Sequence, residues 1–250
     1  MIRKKWWKIL LLTILLAVVS FGVFMFNGMH MSFSSIDADN PPTFIQANVV
    51  DLGSVTLISK FRSGAGHDYS NSSEETCRSM KHYFYNVGPG ERLLSKEQLP
   101  DPEEGKDRTI YSPVDGQIDR IERGDRKLND DIEVIAKSQP NIRIRLQHVT
   151  PLSGIKTGPV WAGQPIGVAG QSFDVAMERN VFPLKTQYIS YFAAMPNDVF
   201  ARYQSKGVKS RDELIISRVD RDAKPLQCKP GTEEFVQRGF PEDDYVVLQR

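Results

Sequence analysis

From Ile9 to Phe26 the chain reads ILLLTILLAVVSFGVFMF, a run without a charge whose only polar side chains are Thr13 and Ser20. A helix rises about 1.5 Å per residue, so roughly 18–20 such residues cover a hydrocarbon core about 30 Å thick. Arg3, Lys4, Lys5 and Lys8 precede the run, Trp6 and Trp7 stand where an interfacial aromatic belt forms, and no Lys or Arg follows until Lys60. The asymmetry predicts a cytoplasmic N-terminus and an extracytoplasmic remainder. A cleaved signal peptide shares the basic start and the apolar run. Here, however, the apolar stretch is long, and Asn27-Gly28-Met29-His30 offers no small-x-small cleavage site. The expected organisation is a basic cytoplasmic tail over 1–8, a transmembrane signal anchor over 9–28 and a linker over 29–42. A β domain over 43–195 and a C-terminal extension with short helices over 196–250 complete it.

The part beyond the anchor is long enough, at roughly 200 residues, to bury one sizeable core. Its partners are not nucleic acids. The formal charge of the 250-residue chain is +1, which leaves no basic surplus for neutralising phosphates. Cys77 and Cys228, the two cysteines, both follow the apolar segment. In an oxidising compartment a bridge between them would stabilise the fold by roughly 4–5 kcal/mol on the chain-entropy model, the alternative being two separate buried thiols.

Short strand-like runs separated by turn residues fill the middle of the chain. Strands are predicted at Val55–Phe61, Ile110–Ser112, Gln117–Ile121, Ile132–Ala136, Ile142–Leu146, Pro165–Ala169 and Gln187–Ala193. Asp115-Gly116 marks a tight turn, and Gln139-Pro140-Asn141 the turn of a hairpin. Helical pattern comes late, at Asp198–Gln204 and Arg211–Ile216, with a further short helix over Cys77–Phe84 packing Met80, Tyr83 and Phe84 inward. Asp220 and Asp222, near Arg218 and Arg221, read as solvated charges. The charged, proline-containing stretch Lys96–Arg108 reads as an exposed loop. The fold class expected is mainly β, an antiparallel sheet or half-barrel with an N-terminal transmembrane helix and short C-terminal helices.

Three segments in order then acquire a meaning. Ile110–Ile118 (IYSPVDGQI), Ile142–Val149 (IRIRLQHV) and Ile155–Gly170 (IKTGPVWAGQPIGVAG) resemble successive segments of the lysostaphin-type (LytM-like) zinc endopeptidases of peptidoglycan. Upstream, Phe61–Ser70 (FRSGAGHDYS) stands where that family carries its His-x-x-x-Asp ligands, and Asp68 matches the aspartate. The segment around Gly163-Gln164-Pro165-Ile166-Gly167 is also similar to biotinyl and lipoyl carrier domains, but without their carrier lysine. The resemblance covers roughly residues 55–195 and implies a duplicated hybrid motif.

It also implies chemistry that this chain does not keep. Family members hold zinc with His, Asp and His, leaving an open position for the attacking water. Four residues before Asp68 stands Gly64, and none of the four histidines (His30, His67, His82 and His148) follows position 148. With the closing His-x-His strand assigned to Gln187–Met195, Tyr188 and Ser190 occupy the candidate ligand positions. His148 matches a family histidine as a relic. No cofactor is therefore expected, and Tyr188, Ser190 and Tyr191 are the candidates for a binding groove.

Three functions follow. One is a catalytically empty envelope module that binds or regulates, with cell-wall peptidoglycan or an envelope protein as partner. Another is an active zinc endopeptidase with a relocated site drawn from His67, Asp68, His148 and His82. The last is a periplasmic adaptor-like module of a transport assembly.

Overall fold

The computed structural model describes residues 3–28, 30–71, 73–87, 107–124, 129–183, 185–236 and 244–249. The charged stretch 96–106 lies outside them.

Helix α1 (Arg3–Gly28) contains the apolar run. Its 18-residue window Trp6–Val23 is long and apolar enough to cross a membrane, and its side chains are exposed rather than packed on the domain. Thr13 Oγ1 donates to the Ile9 carbonyl at 2.9 Å, so its hydroxyl is satisfied inside the helix. A helix apolar all round suits an apolar surround.

The rest is mainly β, as the alternating runs predict. The strands are β1 (Met31–Ser32), β2 (Leu57–Ser59), β3 (Lys81–Tyr85), β4 (Arg108–Tyr111), β5 (Gly116–Glu122), β6 (Asp131–Ala136) and β7 (Gln139–Gln147). They continue as β8 (Thr150–Pro151), β9 (Gly158–Val160), β10 (Pro165–Ala169), β11 (Ser172–Val181), β12 (Lys185–Ile189) and β13 (Tyr245–Val247). A large sheet runs β13-β2-β3-β11-β7-β6-β5-β9, with β1 and β12 also on β11, and a small sheet runs β4-β10-β8. Helix α2 (Asn197–Gln204) and helix α3 (Arg218–Ala223) follow β12.

The core forms between the two sheets. Ile110, Ile166 and Ala169 of the small sheet meet Ile118, Ile132, Val134, Ile144 and Leu146 of the large one, all nearly or fully buried. Val199, Phe200 and Tyr203 of α2 join the same cluster. Fully burying each aliphatic or aromatic side chain is worth about 1.5–3 kcal/mol, so this cluster dominates the favourable side of folding. Strand β7 shows the division of labour: Ile142, Ile144 and Leu146 face the core, and Arg143, Arg145 and Gln147 face away. That second face carries the site.

Several expectations are corrected. Cys77–Phe84 is not a helix, because Lys81–Tyr85 pairs with both β2 and β11. An aromatic-rich segment buried on both faces favours that arrangement. Asp115-Gly116 does not close a hairpin, since β4 pairs with β10 whereas β5 pairs with β6 and β9, so the chain changes sheets there. The β6–β7 hairpin turns at Lys137-Ser138 instead of 139–141, and Pro140 sits at the start of β7, where a missing N–H is tolerated. Residues 211–214 form a single 3-10 turn. Asp220 and Asp222 are exposed, as read, whereas the neighbouring Arg221 is buried: its Nε donates to the Arg62 carbonyl at 2.7 Å and it pairs with Asp244 at 2.9 Å.

Candidate functional site

On the face of the large sheet opposite the core, register brings four charged or polar side chains together. Asp174 of β11 lies opposite Tyr83 of β3 on one side and Gln147 of β7 on the other, with Lys81 opposite Ala176 two pairs along. Residues alternate faces along a strand, so Lys81, Tyr83, Asp174 and Gln147 share this face, whereas His82, Phe84, Phe173 and Val175 share the core face. The loop 62–70 lies over it. Gly66 has φ +69°, and a Cβ there would stand 2.1 Å from Tyr83 Oη, so only glycine lets the loop lie so close to the tyrosine.

Lys81 is the centre of the arrangement. Its ammonium pairs with Asp174 Oδ2, and the side chains are 1% and 0% exposed. It also donates to Gln147 Oε1 at 3.0 Å and lies 3.3 Å from His67 Nε2. The rings of Tyr69 and Tyr83 flank it, with centroids at 4.5 and 4.9 Å. An ammonium has only donors, so His67 Nε2 accepts and Nδ1 carries the proton. That proton points at the Asp68 carbonyl, 3.0 Å away, with Glu233 Oε2 at 3.2 Å. Burial, and after it the Lys81 charge, lowers the His67 pKa, in keeping with a neutral ring.

Asp174 is held by charge. His148 Nε2 stands 3.5 Å from Oδ1 while Lys81 meets Oδ2. Burial alone would raise its pKa, but the Lys81 ammonium beside it outweighs burial and holds it below the ordinary carboxylate range. His148 follows β7 with φ +61°, a left-handed conformation uncommon for a non-glycine residue. Its Nδ1 is 3.1 Å from Asn129 Oδ1.

His67, Tyr69, Lys81, Gln147 and His148, with Glu122, Arg123 and Asp131, line an open cleft of about 320 Å³. A charged ladder continues from it along the sheet. Arg145 pairs with Asp131 at 2.9 Å and Glu122 at 3.2 Å, and Arg143 with Glu178 at 3.2 Å. Tyr69 donates to Glu178 at 2.7 Å; burial, then the Glu178 charge, raises its pKa.

The residues read as candidate ligands are divided among three places. His67 and His148 reach the cleft. Asp68 turns away: its Oδ1 accepts from Ser70 Oγ at 2.5 Å and the Arg78 amide at 3.1 Å, and its Oδ2 lies 3.6 Å from Cys228 Sγ. Cys77 and Cys228 are joined as a disulfide, with Cα atoms 5.7 Å apart. His82 is in the core, between Ser59 O and Ser190 Oγ, each 2.9 Å from a ring nitrogen, and burial lowers its pKa to about 4. Among the described residues no group of three or more His, Cys, Asp or Glu side chains is arranged to hold a metal ion. The donor set does not fit zinc, because the lysine ammonium already takes the lone pair of His67 and the charge of Asp174.

The groove candidates need correction. Ser190 and Tyr191 are each 1% exposed and belong to the core side, Tyr191 donating to the Ala47 carbonyl at 3.2 Å. Tyr188 packs with Phe61 and Met80 and borders a different cleft. The strand that follows Gly170 and lines the site is β11, not 187–195. Its signal is legible in hindsight as a period of two: Phe173, Val175 and Met177 alternate with Asp174, Ala176 and Glu178. Lys81, Asp174, Gln147 and Tyr69 are central site residues that sequence reasoning missed.

No protein-family model matches the chain, and no curated protein matches it significantly. Among solved structures, a chain of the SpoIIQ–SpoIIIAH pore forming complex overlaps it with a TM-score of 0.40 and 14% identity. The overlap covers 65% of this chain and 98% of that one. It is too loose for the two folds to be equated.

Proposed function

We propose that this chain is a membrane-anchored envelope protein whose extracytoplasmic β domain resembles the LytM-like peptidases and acts by binding, not by hydrolysis. Lys81 carries this reading. Its ammonium sits among His67, Asp174 and Gln147, so the positive charge in the cleft belongs to the protein and no lone-pair set is left for a catalytic metal. Hydrolysis at neutral pH through a metal-bound water needs enough free ligands and an open position. The resemblance draws support from placement: the segments 110–118 and 155–170 pair with each other in both sheets, β4 with β10 and β5 with β9, 142–149 lies one strand beyond in the large sheet with β6 between, and His148 reaches the same cleft as His67. The partner is peptidoglycan or an envelope protein, received by the cleft and its charged ladder.

The test is metal content and peptidoglycan cleavage by the purified full-length chain after equilibration with zinc. No stoichiometric zinc and no cleavage are expected. In cells, the rim reversals Arg123→Glu and Glu122→Arg should impair function. One equivalent of zinc, lost together with peptide cleavage when His67, Asp68 and His148 are replaced, would establish the peptidase instead.

A further inference from the structure

Where the chain leaves α1, two exposed phenylalanines stand together. Strand β1 pairs in parallel with the end of β11, Met31 opposite Asn180 and Ser32 opposite Val181. The Phe182 amide donates to the Ser32 carbonyl at 2.8 Å. Phe33 and Phe182 therefore emerge side by side, their ring centroids 5.9 Å apart, and they are 77% and 56% exposed. Pro183, also exposed, follows Phe182. The tip of a β-hairpin ordinarily carries small polar turn residues, so this apolar tip asks for a surface to meet.

Chain length says which surface. Phe33 is five residues beyond Gly28, the end of α1. An extended chain advances at most about 3.6 Å per residue, so Phe33 lies within about 18 Å of the helix end. The stretch is not a free tether. Met31 and Ser32 are buried, Arg179 pairs with Ser32 Oγ, and Gln187 clasps Ile36 through both its amide atoms, accepting at 3.0 Å and donating at 2.6 Å. Arg62, 1% exposed, holds Asp39 at 2.7 Å. The hairpin tip is thereby tied to the residues that leave the bilayer.

We propose that Phe33 and Phe182 insert into the membrane–water interface, giving the domain a second membrane contact and one fixed orientation on the lipid surface. Apolar Phe side chains bury at the boundary between headgroups and acyl chains. The proposal rests on α1 being a membrane anchor.

The test uses the full-length chain with its disulfide intact in phosphatidylcholine vesicles, carrying one nitroxide at Phe182→Cys, Val247→Cys or Val18→Cys. Relaxation by oxygen, which partitions into lipid, is compared with relaxation by a water-soluble nickel chelate. The oxygen-to-nickel ratio should be several-fold higher at 182 than at 247, where the side chain is exposed on the edge strand β13. Equal ratios at 182 and 247, with a lipid-like ratio at 18, would overturn the docking and leave the anchor standing. A water-like ratio at 18 would overturn the anchor and the docking with it. Poor access of both reagents to 182 would show protein, not lipid, on the tip, and would also overturn the proposal.

Discussion

Lys81 and Asp174 form an ion pair across β3 and β11 with neither side chain more than 1% exposed. They are diagonal neighbours, since Asp174 is opposite Tyr83 and Lys81 is opposite Ala176. Removing each charge from water costs several kcal/mol, and mutual attraction offsets that only with further polar contacts. Gln147, His67 and the two tyrosine rings provide them for the ammonium. The pair therefore holds the cleft in one geometry, and each partner depends on the other.

Removing one partner should cost more than removing both. Asp174→Asn leaves a buried ammonium without its counter-charge and should destabilise by about 3–5 kcal/mol, and Lys81→Met by a similar amount. The double variant Lys81→Met/Asp174→Asn should lose clearly less than the sum, as read from urea denaturation midpoints. Strict additivity would mean that the two charges are not coupled.

Acid should weaken the fold through His82 before the carboxylates titrate. Burial lowers its pKa from 6.5 to about 4, against the opposing Ser59 carbonyl. The unfolded chain thus binds the proton more readily, so stability is full above about pH 6.5 and falls as pH drops toward 4, by about 3 kcal/mol. His67, lowered by burial and by Lys81, adds to the same trend. Asp174, with its depressed pKa, adds a separate loss at lower pH, as pH falls through the pKa it has in the folded state. His82→Asn should flatten the profile between pH 6.5 and 4, measured by denaturant melts at fixed pH steps. An unchanged slope would remove His82 from the account.

The Cys77–Cys228 bridge spans a sequence separation of 151. On the chain-entropy model a loop of that length contributes about 5 kcal/mol, by restricting the unfolded chain. Cys77→Ser/Cys228→Ser, or reduction of the native chain, should lower the denaturation midpoint accordingly. The cleft should feel it too, because Asp68 and the loop above Lys81 lean on Cys228 and Glu233. A midpoint unaffected by reductant would make the bridge energetically silent.

Topology is open to a direct check. Basic residues precede Ile9 and none follows Phe26 closely, which predicts a C-terminus outside the cytoplasm. A reporter active only outside the cytoplasm, fused after Arg250, should be active. Activity of a reporter confined to the cytoplasm would reverse the orientation.

What the sequence determined by itself was everything written in neighbouring residues. An uncharged run sets α1, apolar–polar alternation sets β6 and β7, a run bounded by Gly163 and Gly170 sets β10, and helical spacing sets α2. His148 was singled out only by its resemblance to a family histidine, and the structure sets it at the cleft. The composition of the cleft was not. Lys81, Asp174 and Gln147 are far apart in the chain and meet only because β3, β11 and β7 pair in one register. A one-residue slip would send all three to the core face. Likewise Asp68 is diverted from the cleft by Ser70, the Arg78 amide and a bridge from residue 228. Local pattern decides which face of a strand is apolar, whereas pairing between distant strands decides which polar residues share the other face. That pairing put a lysine at the centre of the cleft.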